Sequence, residues 1–202
     1  EVSNPVKFEV LNMPELVEPV TDTRSGSAVQ LSDLPVCLNG RIFGNKPDSY
    51  TFNAEKGQVM VAYLKSDLVL PGGFIPLIQL GDADGNVITN GVTLYFPANA
   101  PVLVFEAPSS GNYTLMVGGD GKQTGRSAVY RIVFGELPLI TGFSPKLAVQ
   151  GKSVNVQLEG VNLAEERVRL FTGGKDSSMC MESIAGDSYV LPGLKFDLVD
   201  ET

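Results

Sequence analysis

Between Asp48 and Ala54 the chain alternates strictly. Tyr50, Phe52 and Ala54 fall on one side, and Ser49, Thr51 and Asn53 on the other. A period of two is that of a strand with one face buried; a helix repeats every ~3.6 residues. Turn formers bracket the run: Gly44-Asn45-Lys46-Pro47-Asp48 before it, Glu55-Lys56-Gly57-Gln58 after it. Glycine accepts positive φ, proline presets φ, and Asn and Asp bond their own backbone. The second turn leads into Val59-Met60-Val61-Ala62-Tyr63-Leu64. Strand, turn, strand is therefore the reading of this stretch, and it makes the leading half of a β-sandwich.

The same beat recurs along all 202 residues, and 22 Gly and 13 Pro interrupt it. That much punctuation suits short strands and turns, and 43% hydrophobic residues suffice for real cores. Strands are expected over 28–31, 36–43, 49–53, 58–64, 76–81, 93–96, 102–107, 111–117 and 128–134. Residues 63–70 are the best place for a short helical turn. Beyond Leu137 a second unit is expected, with strands near 139–145, 154–158, 168–171, 188–191 and 195–199. At about 65 residues it is shorter than the ~100 of an immunoglobulin sandwich, so it is expected to lack strands.

At the N-terminus Val6, Phe8 and Val10 face one way, as in a short strand, and prolines at 14 and 19 then suggest an extended linker. The domains are thus 1–27, a detached strand with linker; 28–137, a first sandwich; and 138–202, a partial second one. A sandwich short of a strand exposes an edge that pairs with free strands. Residues 5–10 are expected to dock on 138–202, within one chain or between two.

What is missing restricts function more than any motif. There is no histidine, which removes Ser-His-Asp and Cys-His catalysis, His-ligated zinc and histidine pH switching. A net charge of −8 disfavours nucleic acid. No apolar run reaches the ~18 residues of a membrane span. There is no tryptophan, so a sugar platform would fall to Tyr63, Tyr95, Tyr113 and Tyr189. The two cysteines, Cys37 and Cys180, read as small buried hydrophobes or as a disulfide.

Asp82, Asp84 and Asn86 place oxygens at alternate positions, as calcium loops do, and are the candidate metal ligands. The same residues also make a hairpin with Asp84-Gly85 at its tip. No other cofactor is expected. A catalytic carboxylate pair would show itself as two close acids, one titrating unusually high.

Asn39-Gly40-Arg41-Ile42, residues 47–58, residues 107–115 and Tyr130-Arg131-Ile132-Val133 resemble, in order, the bacterial pre-peptidase C-terminal (PPC) domain. Ile140-Thr141-Gly142-Phe143-Ser144-Pro145, Gly151-Lys152-Ser153-Val154-Asn155-Val156 and Gly160-Val161-Asn162-Leu163 resemble an IPT/TIG domain. Ser3–Val10 resembles the closing strand of that second family. These resemblances imply an all-β chain of two sandwich modules, jelly-roll-like and then Ig-like, with a short N-terminal strand. They imply a non-catalytic accessory, spacer or adhesion module of a secreted, periplasmic or cell-surface bacterial protein. Its partners would be other domains of that protein, and extracellular protein or polysaccharide. The alternative is a carbohydrate-binding module.

Overall fold

The computed structural model describes residues 12–18, 28–42, 46–64, 77–90, 92–93, 101–119, 128–173, 178–180, 189–190 and 195–199. These hold eighteen strands and no helix, so the protein is all-β. The chain divides into two compact units, Glu1–Glu136 and Leu137–Thr202.

The first unit contains β1 (Glu15–Val17), β2 (Val29–Gln30), β3 (Val36–Arg41), β4 (Asp48–Ala54), β5 (Val59–Leu64) and β6 (Leu77–Gly81). It continues with β7 (Val87–Asn90), β8 (Val92–Thr93), β9 (Pro101–Glu106), β10 (Gly111–Gly118) and β11 (Val129–Gly135). They form a six-stranded sheet, β1-β3-β11-β5-β9-β8, and a five-stranded sheet, β2-β4-β10-β6-β7. The inner faces share one core. Val36, Leu38, Met60, Leu64, Ile132 and Phe134 come from the first sheet, and Tyr50, Phe52, Ile78, Leu80 and Leu115 from the second. Phe52 meets Phe134 edge-on at 4.8 Å across the gap, and Phe105 meets Tyr113 at 5.0 Å. Edge-to-face contacts of this kind add about 0.5–1.5 kcal/mol each beyond the buried area.

The alternation predicted for β4 is observed: Tyr50, Phe52 and Ala54 are buried. In β3, β5 and β11 it gives way to stretches of continuous burial, at 36–38, 60–64 and 132–135. Cys37, Val61 and Val133 lie between core residues, so they point to the opposite face, yet they have no exposure. A strand buried on both faces reads as an unbroken apolar run, as Val59–Leu64 does.

Three sequence expectations need correction in this unit. Residues 15–17 are not linker: β1 pairs in parallel with β3, Glu15 opposite Cys37 and Val17 opposite Asn39. Only Leu16 of the three packs against the core, so no periodicity marked the strand; its partner lies more than twenty residues on. Residues 87–90 form β7, antiparallel to β6, with a register shift between Leu80 and Gly81. Val87 and Ile88 are 49% and 45% exposed, so this edge strand lacks a buried stripe. Finally, Tyr63 and Leu64 end β5 rather than start a helix; residues 65–70 lie outside the described residues, as do 94–96 of the strand expected there.

The second unit contains β12 (Leu139–Ser144), β13 (Leu147–Val149), β14 (Ser153–Val161), β15 (Arg167–Phe171), β16 (Ser178–Cys180), β17 (Tyr189–Val190) and β18 (Lys195–Val199). One sheet runs β15-β14-β12-β17 and the other β13-β18-β16. Ile140, Phe143, Ala148, Val156 and Leu158 form its core, with Val168, Leu170 and Leu198 packed on it. Residues 147–149 and 178–180 were not expected as strands; both are three residues long and gain their identity from pairing with β18. That last strand lies between the two others, at the centre of its sheet. Thr172, fully buried, fastens the β13–β14 turn: its hydroxyl lies 2.6 Å from Val149 O and 2.8 Å from Lys152 O. Residues 5–10, expected to dock on this unit, lie outside the described residues.

Candidate functional site

The calcium candidates lie on the β6–β7 hairpin. Asp82 Oδ1 accepts the main-chain N–H of Asp84 at 3.0 Å and that of Asn86 at 2.9 Å. Asp82 Oδ2 accepts the Asn86 side-chain amide at 3.1 Å. Gly85 takes φ 82°, a left-handed conformation open to glycine at little cost. The Asn86 hydrogen bonds, side chain first, hold the Asp82 carboxyl below the usual carboxylate range, because they stabilise its charged form. The three residues are together as the spacing predicted, but Asp82 is already satisfied by donors of its own loop. Among the described residues no group of three or more His, Cys, Asp or Glu could hold a metal ion.

A second cluster was not singled out in the sequence. Asp48 opens β4, half-buried, and its Oδ2 accepts the Tyr130 hydroxyl at 2.8 Å. Tyr130 comes from the facing sheet, and its hydroxyl lies 2.6 Å from that of Tyr50. Both tyrosines are almost fully buried. Glu18, just past β1, is near enough for its charge to act on the Asp48 carboxyl. Its own placement is set by main chain: its N–H donates to Asn39 O at 2.9 Å, and its Oε2 accepts Arg41 N–H at 3.3 Å. Gly40 lies beneath the Tyr130 ring, where a Cβ would overlap the hydroxyl. The glycine is thus what lets the phenol reach Asp48.

Burial pushes Asp48 up to about 7; the Tyr130 hydrogen bond opposes the rise, and the charge and hydrogen bond of Glu18 add to it. Burial likewise raises both phenols far above their ordinary value, with the neighbouring Tyr and Asp48 adding to the rise in Tyr130. The phenols therefore stay protonated and act as donors. Two acids this close, one titrating near neutrality, are the signature expected of a carboxylate pair. Here, however, the hydrogen bonds run inward to residues without solvent access. The hydrogen bonds tie β4 to β11, and those of Glu18 tie the end of β1 to β3.

Of the tyrosines expected to form a sugar platform, two are buried. Tyr63 is 6% and Tyr113 5% exposed. Tyr113 packs against Phe105 and donates its hydroxyl to Ser109 O at 2.7 Å. Tyr95 lies outside the described residues, as does the side chain of Tyr189. Cys37 is fully buried, with Asn39 Nδ2 3.9 Å from its sulfur; the side chain of Cys180 lies outside the described residues. Arg167 and Arg169 line an exposed strand face, and Arg167 Nε donates to Gln157 Oε1 at 2.7 Å.

No family model and no curated protein matches the chain. Among solved structures it is similar to the pre-peptidase C-terminal domain of collagenase from Bacillus anthracis. That likeness has 20% identity and a TM-score of 0.42, and covers 56% of this chain and 100% of that one. It is also similar to PliG of Aeromonas hydrophila, a periplasmic lysozyme inhibitor of g-type lysozyme. There the identity is 14% and the TM-score 0.36, over 60% of this chain and 99% of that one. No helix among the described residues is long and apolar enough to cross a membrane.

Proposed function

We propose that the chain is a non-catalytic accessory or spacer segment of a secreted, periplasmic or cell-surface bacterial protein, with a PPC-like module followed by an Ig-like one. It works by holding neighbouring domains of that protein in place and by weak contacts with extracellular protein or polysaccharide. The observation that carries this reading is the destination of the buried polar groups. The acid and phenols of the Asp48–Tyr130–Tyr50 line point into the sandwich and join its sheets, which is support for a scaffold. The sequence adds the lack of any histidine.

The test is a panel of peptide, ester and glycoside substrates offered to the purified chain between pH 4 and 8, beside Asp48→Asn. No turnover by either is expected. Turnover that Asp48→Asn abolishes would overturn the reading and make the acid pair an active site. Retention of the chain on insoluble collagen, chitin and peptidoglycan then tests the contact role.

A further inference from the structure

We propose that the free edge of β15, in the second unit, is a docking site for an acidic extended segment of another polypeptide, which adds to the sheet as a further strand. The inference rests on the accessory-module reading, whose protein contacts it assigns to a surface. β15 ends its sheet, in the order β15-β14-β12-β17. Leu158 N–H donates to Glu166 O at 2.7 Å, and Thr172 N–H to Lys152 O at 3.0 Å. The register between them is unbroken, from Ser153 opposite Phe171 to Gln157 opposite Arg167. Antiparallel partners alternate between bonded and non-bonded pairs, so Val168 and Leu170 also turn their main chain toward β14. The N–H and C=O groups of Arg167, Arg169 and Phe171 therefore point away from the sheet. Among the described residues no strand takes them up. Such a row is a template for an incoming strand.

The same three residues set the chemistry of the row. Arg167, Arg169 and Phe171 share the outer face of β15 and are exposed; Phe171 is 64% exposed. Val168 and Leu170 alternate with them, half-buried against the core. Arg167 uses Nε on Gln157, and Arg169 has no ion pair among the described residues. Across β14 the partners on this face are uncharged: Ser153, Asn155 and Gln157. The nearby acids lie to one side. Glu165 and Glu166 precede Arg167 in the chain, and Glu159 sets its carboxyl against Gly142 of β12.

These charges select the occupant. Edge charges commonly guard a sheet against aggregation. Here they reject like-charged strands and admit one class, so the guard is also the source of specificity. A second β15 is refused: antiparallel pairing centred on Arg169 sets that residue opposite its own copy. A strand alternating carboxylates with β-branched residues fits both faces. Its acids lie beside Arg167 and Arg169, because cross-strand partners share a face, and its apolar side chains cover Val168 and Leu170. Each guanidinium then offers a carboxylate its planar fork of donors.

The probe is a fluorescent peptide alternating glutamate with valine, titrated into the full chain and followed by anisotropy and by NMR hydrogen exchange. Saturable binding is expected at millimolar peptide or below, weakened severalfold by high salt. The amides of Arg167, Arg169 and Phe171 gain protection, while those of Val168 and Leu170, already turned to β14, change less. Arg169→Glu weakens binding about tenfold or more, and the lysine–valine peptide does not bind. No saturable binding overturns the proposal, as does equal binding by the lysine peptide or by Arg169→Glu, or protection gained at another edge instead. Polygalacturonate carries carboxylates without a strand backbone; if it displaces the peptide at equal carboxylate concentration, the surface is a simple charge site and the proposal falls. If Arg169→Glu does not fold, Arg169→Gln takes its place, with about threefold weaker binding expected. Each of these failures leaves the accessory-module reading standing, because turnover tests that separately.

Discussion

The hydroxyls of Tyr50 and Tyr130 lie 2.6 Å apart, although the two residues are eighty positions apart and belong to opposite sheets of the first module. Their bond continues to Asp48 at 2.8 Å. Tyr130 is the middle member, so the two tyrosines are not equivalent. Tyr50→Phe removes one hydroxyl and leaves Tyr130 bonded to Asp48, at a cost of about 1 kcal/mol. Tyr130→Phe strands two buried partners and costs about 2–3 kcal/mol. Urea denaturation of the two variants measures the difference. Equal costs would show that the chain of bonds is not centred on Tyr130.

Gly40 is the backbone condition for that arrangement. A methyl group there overlaps the Tyr130 hydroxyl, so Gly40→Ala must tilt the ring away from Asp48. The expected loss is about 2 kcal/mol or more, since strain and a broken buried bond combine. Tyr130→Phe keeps the ring carbons that the methyl also overlaps, but the bond to Asp48 that either single variant loses is lost only once in the pair, so the double variant should lose less than the sum. Simple additivity in denaturant midpoints would contradict the contact.

Asp48 also sets a pH dependence of the module's stability. Its folded value of about 7 lies above that of an unfolded aspartate, so the folded state holds a proton that the unfolded chain releases. This contribution is fully present below about pH 4 and is lost as pH rises to about 7. Solvent on the exposed side of the carboxyl reduces it to roughly 1–2 kcal/mol. Melting temperatures of Asp48→Asn and the parent chain, compared at pH 4.5 and 7.5, should show a gap that differs between the two values. The parent loses more on going to pH 7.5.

Asp82 works in the opposite direction. Its carboxyl titrates low because Asn86 and its loop's main-chain amides bond to it, so its contribution is present above its unfolded value and fades in acid. Asp82→Ala should loosen the β6–β7 hairpin and raise hydrogen exchange at Asp84 and Asn86, whose main-chain N–H groups it accepts. Because Asp82 is satisfied within the loop, millimolar calcium should leave the melting temperature unchanged. A rise that Asp82→Ala abolishes would restore Asp82, Asp84 and Asn86 as a calcium site.

Local sequence carried much of the fold. The alternation of Tyr50, Phe52 and Ala54 gave β4, and Asp84-Gly85 gave a hairpin tip, because both signals are written within a few residues. β1, β7, β13 and β16 were illegible for the same reason. Each is three or four residues long, without a readable buried stripe, and is a strand because a partner elsewhere pairs with it. The tyrosines at 63 and 113 illustrate the converse: an aromatic looks the same in sequence whether it faces water or a core.

What the residues alone determined is the class of the protein. Short alternating runs broken by glycine and proline can bury their apolar sides only as sheets stacked face to face, and a chain without histidine is denied a large share of catalysis. What only the tertiary structure decided is the meeting of Glu18, Asp48, Tyr50 and Tyr130. Asp48 and Tyr50 lie on β4, Tyr130 on β11 and Glu18 just past β1, and the protonation of Asp48 and of the two phenols depends on how deeply folding buries them and which charges it sets beside them. Neither quantity exists until the sheets close.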